Sequence, residues 1–405
     1  MRNTTRVKLF QILPEAGRRF LSRVLRQGNP ETSASIHGID HFPTHRAKIK
    51  RALVALSPDA WLRAREQYPN IRYFNYIGLT YEIVKALNEN GYLVDIVDHS
   101  REHSPQAKYD IFVGHGGHCQ TIIDSLPSDT PILHYVSGAH WAAFNSQSAA
   151  RYRRFSAVHG YPFTGQFTRS MAGITEGEEY LSQKATHMFT IGCPRMAATY
   201  GALASKFVFT GLGAYEDAVL GDPAAKQHNE PTNFLYLAGT GGNIQKGLDL
   251  LIDAFSSMPT YHLYIYCKVE SEIVNYASRQ FNAANIHYIY HWRHALFQRQ
   301  LRDLMNTISF TLHAPIDAGL GTAFSASLAA GMIPVGYVDY TGNSDHCILS
   351  DSWDIEDLSN CIKRAANSSR AWRKVASDAS RQFYEANCTA IGFAARFQRL
   401  VNSLT

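Results

Sequence analysis

The chain has 405 residues, which is more than one ordinary core needs and enough for two domains of about 150–200 residues each. Hydrophobic residues make up 45% and charged residues 18%, a composition typical of a packed globular protein and not of a disordered one. The formal net charge of +5 is small, and beyond the N-terminal stretch the basic residues are dispersed, which argues against a groove that binds nucleic acid.

Six cysteines are scattered along the chain, without a Cys-x-x-Cys pair or a Cys/His cluster. This spacing argues against a disulfide framework and against a structural zinc site, and it is typical of a protein in a reducing cytosol. No run approaches the roughly 18–20 apolar residues that a membrane-spanning helix needs. We therefore expect a cytoplasmic protein that is soluble or peripheral on the inner face of the membrane.

Residues 1–44 form a basic N-terminal segment. Up to Arg51 the chain carries eleven basic residues and only three acidic ones. After Pro14, apolar and basic residues recur at helical spacing as far as Arg26. A helix on an anionic membrane surface fits this pattern, and so does an ordinary helix with a solvated basic face. An organelle transit peptide is a third alternative.

Strands and helices alternate in the first half, residues 45–215, after a connector rich in Pro, Ser and His between Gly28 and Thr44. A helix is predicted at Leu79–Asn90, closed by Gly91. The alternation predicts a parallel sheet with a ligand crevice outside the carboxyl ends of its strands. The predicted strands are Ile71–Tyr76, Leu93–Asp98, Tyr109–Val113, Ile132–Val136, His187–Ile191 and Phe207–Thr210.

A second series of the same kind occupies residues 216–385. It follows a predicted hinge at Ala214–Asn233, where apolar periodicity stops, and residues 386–405 are predicted to end the chain as a helix. The predicted strands are Phe234–Ala238, Tyr261–Cys267, Ile286–Tyr290, Ile308–His313 and Ile333–Val338, and the predicted helices include Gly247–Phe255, Gln298–Asn306 and Thr322–Ala330. We therefore expect an α/β protein of two Rossmann-like domains whose parallel sheets face each other across a cleft.

Two glycine-bearing loops follow strands of the second half. The first, Gly239–Gly242, precedes Lys246, and the second, Gly319–Gly321, opens a helix. Glycines let backbone N–H groups approach a phosphate, and a helix N-terminus adds partial positive charge. Neither loop has the Walker A or Gly-x-Gly-x-x-Gly pattern, so each one alone is equally compatible with an ordinary turn or tight packing. Together they favour one diphosphate site.

From about Asn233 onwards the chain resembles the retaining GT-B glycosyltransferases, the large "glycosyl transferases group 1" family. Gly239 with Lys246-Gly247 matches the family's strand–Gly–Lys-Gly segment. The run from Ala318 to Val335 matches its second segment, which ends in Gly-x-Pro-Val with one additional residue here. In the first half the resemblance is architectural, with His134 at the family's strand-end histidine position. The resemblance also implies that the last helix crosses back to the first domain.

The resemblance implies a nucleotide-diphosphate sugar as donor, bound mainly by the second half. Lys246 would face the diphosphate, and the loop that contains Trp292 falls where the family holds the nucleobase. The implied donor-binding residues are Gly239, Thr240, Gly241, Gly242, Lys246, Trp292, Arg293, Gly319, Leu320, Gly321 and Thr322.

The chain departs from the family at the two glutamates, which lie beside the sugar and the ribose. Ala318 and Ala326 stand at these positions. Asp317, one residue early, would reach the sugar only if its loop shifted, and Ser325 or Ser327 would bond a ribose hydroxyl. Two interpretations follow: an active branch with altered donor contacts, or a catalytically silent relative that serves as a binding or scaffold subunit.

The implied catalytic residues are His134, Lys246 and Asp317, with His134 at the donor sugar. The implied acceptor-binding residues of the first half are His115, His118, His140 and Trp141. His115 and His118 have spacing that would also suit a zinc ion, but no third ligand accompanies them. We therefore expect no metal and no cofactor, in line with the metal independence of the family. A buried structural role is an equal alternative for any single histidine.

Aromatic and basic residues follow the His140 loop. Trp141, Phe144, Tyr152 and Phe155 are expected either to stack on acceptor sugars or to lie in the core. Arg151, Arg153 and Arg154 are expected either to meet an anionic acceptor or to face water. The expected function is transfer of a hexose-like sugar, with retention, to a glycan or lipid-linked acceptor in polysaccharide biosynthesis.

Overall fold

Two sheets organise the computed structural model, which describes residues 35–42, 50–67, 76–161, 174–211, 230–239, 242–278, 280–289, 295–316, 321–337 and 346–404. The basic helix predicted before Arg26 therefore lies outside the described residues, as does most of the predicted hinge. Among the described helices, none combines the length and the hydropathy of a membrane span.

The first sheet has seven strands in the order β1-β3-β2-β4-β5-β6-β7. Every neighbouring pair is parallel except β1 and β3, which are antiparallel. The strands are β1 Ser35–Ile39, β2 Lys50–Leu56, β3 Tyr92–Asp98, β4 Ile111–Gly114, β5 Ile132–Val136, β6 His187–Thr190 and β7 Phe207–Phe209. Its helices are α1 Pro58–Gln67, α2 Tyr76–Glu89, α3 Gln120–Ser125, α4 Trp141–His159, α5 Ile174–Lys184 and α6 Pro194–Ala198.

The second sheet has six parallel strands in the order β10-β9-β8-β11-β12-β13, which is the doubly wound order. The strands are β8 Asn233–Leu237, β9 His262–Tyr266, β10 Ile286–Ile289, β11 Phe310–His313, β12 Ile333–Gly336 and β13 Ile348–Leu349. The helices are α7 Leu248–Ser256, α8 Ser271–Ala277, α9 Ala295–Thr307, α10 Thr322–Ala329, α11 Ile355–Ala366, α12 Arg370–Asn387 and α13 Ala390–Asn402. The strand order reverses between β8 and β11, which makes their carboxyl ends the expected ligand crevice.

The start of the first sheet differs from the prediction. Strand β1 lies inside the stretch predicted as a connector, and β2 and α1 precede the first predicted strand. Tyr76, predicted to end a strand, begins α2, and residues 71–75 lie outside the described part of the chain. The remaining predicted strands agree within about two residues. The central ones, such as β5 and β12, are buried on both faces and therefore read as continuous apolar runs.

Asp95, in the middle of β3, links the edge strand β1 to β2 and to the residue Tyr109 just before β4. Its buried carboxylate accepts hydrogen bonds from the Gly38 amide at 2.7 Å, from Arg51 at 2.8 Å and from the Tyr109 hydroxyl at 2.6 Å. His37 lies 3.6 Å away. Burial by itself raises the pKa of Asp95, but these hydrogen bonds outweigh burial and lower it.

The chain returns to the first half at its end. Helix α13 packs Phe393, Phe397 and Val401 into the core that β2, β3 and α2 form. Arg396 of the same helix donates to the carbonyl oxygen of Thr210 at 2.6 Å and to that of Asn387 at 2.9 Å. The last described residues of the first half therefore touch the returning segment.

Candidate functional site

A cavity of about 300 Å³ lies between the two halves, at the carboxyl ends of β8 and β11. This is the crevice expected from the doubly wound order of the second sheet. The second half contributes Tyr236, Leu237, Ala238, Gly239, Lys246, His313, Pro315, Gly321, Ala323 and Phe324, and the first half contributes Ser137, Ile191, Gly192 and Met196.

The first glycine-bearing loop brings Gly239 and Lys246 to this cavity. Lys246 is half-buried, and its Nζ lies 4.0 Å from the position that a Cβ on Gly239 would take. The lysine belongs to a turn whose backbone is set by the bond from its own amide to the Gly242 carbonyl at 2.9 Å, and Gly247 follows in the left-handed region. The ammonium group is therefore directed back toward the end of β8. Thr240 and Gly241 lie outside the described residues.

Glu270, which the sequence analysis did not single out, accepts hydrogen bonds from the amides at the end of this loop. Its carboxylate accepts from the Gly242 amide at 2.8 Å and from the Asn243 amide at 2.9 Å. The Asn243 side chain in turn accepts from the Glu270 amide at 2.7 Å. The Gly242 amide predicted for a phosphate thus already has an anionic partner within the protein. Among the described residues of this loop, Gly239 and Lys246 line the cavity and stay candidates for anion contacts.

The second glycine-bearing loop delivers Gly321 and the first turn of α10 to the cavity. Gly321 is the N-cap in an extended conformation, and Ala323 and Phe324 follow it on the wall. The first N–H groups of a helix have no intrahelical acceptor, so they suit an anion. Asp317, Gly319 and Leu320 lie outside the described residues, as do Trp292 and Arg293, and the side chain of Thr322 is not described.

The expectation that Ser325 or Ser327 meets a ribose is wrong, because α10 turns both side chains into the core. Both residues are fully buried. Ser327 donates to the Ala323 carbonyl at 3.0 Å and accepts from the Thr311 hydroxyl at 3.2 Å. Ala326 is half-buried. It stands where the resembled glycosyltransferase family has its second glutamate, and its side chain is only a methyl group.

His313 ends β11 on the cavity wall, and the sequence analysis missed it. Its Nε2 lies 3.1 Å from the Thr311 hydroxyl, and the ring meets Phe324 edge-on at 4.6 Å between centroids. Burial lowers the pKa of His313 to about 3, so the imidazole is neutral. A lone histidine at the end of an apolar strand, just before Ala314-Pro315, was the only signal available.

His134 lines a neighbouring small cavity of about 20 Å³ rather than the main one. The ring is buried, and its Nδ1 lies 3.1 Å from the Ser182 hydroxyl, which itself donates to the Glu178 carbonyl at 2.7 Å. Burial, with a smaller effect of His115, lowers the pKa of His134 to about 3. Ser137 lies on the walls of both cavities, so His134 is adjacent to the main cavity without lining it.

His115 lines the small cavity together with His134, and His118 follows His115 by three residues in the sequence. Nδ1 of His115 donates to the Tyr135 carbonyl at 2.9 Å, and the half-buried His118 is placed by its amide, which donates to the His99 carbonyl at 3.0 Å. Gly117 between them has a positive φ, and a Cβ there would collide with the His99 carbonyl. Across the described ranges, no three His, Cys, Asp or Glu side chains gather closely enough to hold a metal ion.

His140 serves as the N-cap of α4 and does not line either cavity. Its Nδ1 accepts from the Ala142 amide at 3.4 Å, and its Nε2 donates to Glu179 at 2.8 Å. Both ring nitrogens therefore have partners within the protein, and the acceptor contact of His140 stays a prediction from the sequence. Trp141 begins the helix, half-buried beside the His140 ring.

Helix α4 uses its arginines and aromatic side chains to join the two halves. Arg151 is fully buried, donates to the Ala314 carbonyl at 2.6 Å and lies over the Trp353 ring at 4.6 Å. Tyr152 and Phe155 are buried in the core of the second half. The sugar-stacking alternative for these two aromatic residues and both alternatives stated for Arg151 are therefore wrong.

Two carboxylates of α7 face the basic side of α4. Arg154 lies 3.6 Å from Asp249 and 3.8 Å from Asp253, and His159 lies 3.2 Å from Asp253. Asp249 is fully buried, and burial raises its pKa to about 6 even though Arg151 and Arg154 oppose the shift. Arg151 and Arg154 thus belong to the interface between the halves, whereas Arg153 is exposed, as one of its two alternatives predicted.

Comparisons with known proteins identify the fold. No protein-family model matches the sequence, and no curated protein matches it. Solved structures do match over most of the chain. Sucrose-phosphate synthase from Thermosynechococcus elongatus matches with a TM-score of 0.61 at 11% identity, over 89% of this chain and 99% of that one.

Two further structures have the same architecture. HepE of Anabaena, solved with UDP and glucose, matches with a TM-score of 0.52 at 9% identity, over 87% of this chain and 99% of its own. WaaG, a glycosyltransferase involved in lipopolysaccharide biosynthesis, matches with a TM-score of 0.51 at 12% identity, over 86% and 99%. At this identity the likeness concerns the fold, which is GT-B with two parallel sheets, as predicted.

Proposed function

We propose that this GT-B protein is a metal-independent glycosyltransferase. It would move a hexose-like sugar from a nucleotide-diphosphate sugar to a glycan or lipid-linked acceptor, with retention of configuration. The observation that carries the proposal is the cavity between the halves, because it places Lys246 and the N-terminus of α10 together at the switch point of the second sheet. One positive side chain and a set of N–H donors suit a diphosphate.

In such a reaction the leaving diphosphate gains negative charge as the bond to the sugar breaks. Donors that are already in place stabilise that charge without reorganising. Lys246 is the candidate for this role. Ser137 and Gly192 of the first half close the other side of the cavity, where an acceptor would approach. The membrane contact of the basic N-terminal segment and the cytoplasmic location stay predictions from the sequence.

The first test is nucleotide-sugar binding. Calorimetry with UDP-glucose, GDP-mannose and ADP-glucose should show that at least one binds the wild type. Lys246→Ala should weaken this binding about tenfold or more, because a hydrogen bond to a charged group contributes about 1.5–3 kcal/mol. Lys363→Ala is the matched control, since Lys363 is exposed on α11 and does not line the cavity. Equal binding by Lys246→Ala and the wild type would contradict the proposal.

A catalytically silent GT-B relative is the second candidate, favoured by the methyl group of Ala326 where the family has a glutamate. This candidate predicts nucleotide binding without turnover. Release of labelled sugar from the bound nucleotide sugar, to water or to a mixed glycan and lipid acceptor pool, separates the two. Any release that Lys246→Ala abolishes favours the enzyme, and its absence despite binding favours the silent relative.

A further inference from the structure

The direction of a chain of hydrogen bonds defines which nitrogen of His313 carries the proton. Ser327 donates its hydroxyl hydrogen to the Ala323 carbonyl at 3.0 Å, and Thr311 donates its own to Ser327 at 3.2 Å. The Thr311 oxygen, 3.1 Å from Nε2, is therefore left as an acceptor for the His313 N–H. In a neutral ring one nitrogen donates and the other accepts, so Nδ1 carries a lone pair.

This lone pair belongs to a ring on the wall of the cavity. His313 lines it together with Lys246 and Gly321, and Nδ1 has no hydrogen-bond partner among the residues that the structure describes. Lys246 and the first amides of α10 on the same wall are donors. An acceptor beside them is unsuited to a phosphate oxygen, but it suits a hydroxyl group.

A nucleotide sugar presents both kinds of group, since its diphosphate needs donors and its hydroxyls need acceptors. At the position of the family's ribose carboxylate this chain has Ala326, whose methyl group cannot accept. We propose that Nδ1 of His313 accepts a hydrogen bond from a hydroxyl group of the bound nucleotide sugar, and that Thr311 and Ser327 hold the ring in the tautomer that allows it. This inference rests on the proposed function and makes His313 a specificity-determining residue.

The binding test compares His313→Leu with His313→Asn. The leucine has no acceptor, whereas the asparagine carries its amide oxygen on the same Cγ that carries Nδ1. Calorimetry uses whichever of UDP-glucose, GDP-mannose and ADP-glucose binds the wild type most tightly, together with its parent nucleoside diphosphate. We expect about three- to tenfold weaker binding for His313→Leu, as befits one neutral hydrogen bond, and near wild-type binding for His313→Asn.

The two ligands distinguish the source of the hydroxyl. If His313→Leu weakens the nucleoside diphosphate as much as the nucleotide sugar, the hydroxyl belongs to the ribose. If it weakens only the nucleotide sugar, the hydroxyl belongs to the transferred sugar. Wild-type affinity of His313→Leu for both ligands would overturn the inference, and so would equal losses in His313→Leu and His313→Asn.

A second measurement tests the relay without any ligand. Nitrogen-15 spectra of labelled histidine, with the His313 signal assigned by its loss in His313→Asn, should show a proton on Nε2 and none on Nδ1. Thr311→Val should mix the two tautomers, whereas Thr311→Ser keeps the hydroxyl and should preserve the wild-type signal. A proton on Nδ1 in the wild type would overturn the inference. Failure of every nucleotide sugar to bind would refute the proposed function, and the tautomer would still be measured.

Discussion

At the scale of single residues, Asp95 shows how one buried carboxylate organises an edge of the first sheet. Its folded pKa is lowered, so its contribution to stability is present above its unfolded pKa of about 3.9 and is lost as the pH falls below that value. Asp95→Asn removes the charge from three hydrogen bonds. We expect a loss of about 2 kcal/mol at neutral pH, seen as a lower melting temperature.

The pH dependence separates this effect from simple misfolding. The difference in melting temperature between the wild type and Asp95→Asn should shrink as the pH falls from about 5 toward 3. Asp129→Asn is the control, because Asp129 is exposed, and it should melt like the wild type. A constant difference across this range would show that the carboxylate charge is not the cause.

At the scale of elements, the packing of α4 on α7 buries the carboxyl group of Asp249, and burial disfavours its ionised form. Burial raises the folded pKa of Asp249 to about 6. An acid with a raised folded pKa stabilises the fold most in its protonated form, so its contribution declines as the pH rises from about 4 to about 6. We expect Asp249→Asn to be as stable as the wild type or up to about 2 kcal/mol more stable at neutral pH.

Asp253, one turn further along α7, is the matched control for Asp249. It accepts from the Tyr276 hydroxyl at 2.9 Å and lies near His159 and Arg154, so its charge is well partnered. Asp253→Asn should therefore lower the melting temperature at neutral pH. If Asp249→Asn is the more damaging of the two, the arginines stabilise ionised Asp249 more than burial disfavours it.

At the scale of the whole molecule, Arg396 joins the end of the first half to the segment that returns from the second half. Arg396 donates to the carbonyls of Thr210, Ala386 and Asn387, which belong to the end of the first half and to the returning chain. Gly211 has a positive φ, and a Cβ there would collide with the Asn387 carbonyl, so the two segments are as close as glycine permits.

Removing this guanidinium should loosen the contact between the segments. Arg396→Met leaves three carbonyls without their donor, and we expect a loss of about 2–4 kcal/mol in thermal unfolding, with faster limited proteolysis near Gly211. Arg396→Lys should recover only part of the loss, because one ammonium cannot reproduce the planar fork. Arg399→Met, exposed on the same helix, should behave like the wild type, and equal behaviour of the two methionine variants would refute the role.

The sequence by itself determined the two α/β series, because buried parallel strands are continuous apolar runs that the chain carries locally. It also determined where glycines and Lys246 follow strand ends. Strand β1 escaped prediction because a short edge strand with Gly38 in it depends on Asp95, which is 57 residues away in the sequence. Local patterns contain no trace of such a partner.

Only the tertiary structure decided what the polar residues of the cleft do. Histidines look alike in a sequence, yet His140 caps a helix, His134 lines a small side cavity and His313 lines the main one. Arg151 of α4 packs between the halves, and the Glu270 carboxylate accepts from an amide of a glycine-bearing loop. The physical reason is that a polar group's role depends on its burial and on its hydrogen-bond partners, and these come from elements distant in the chain.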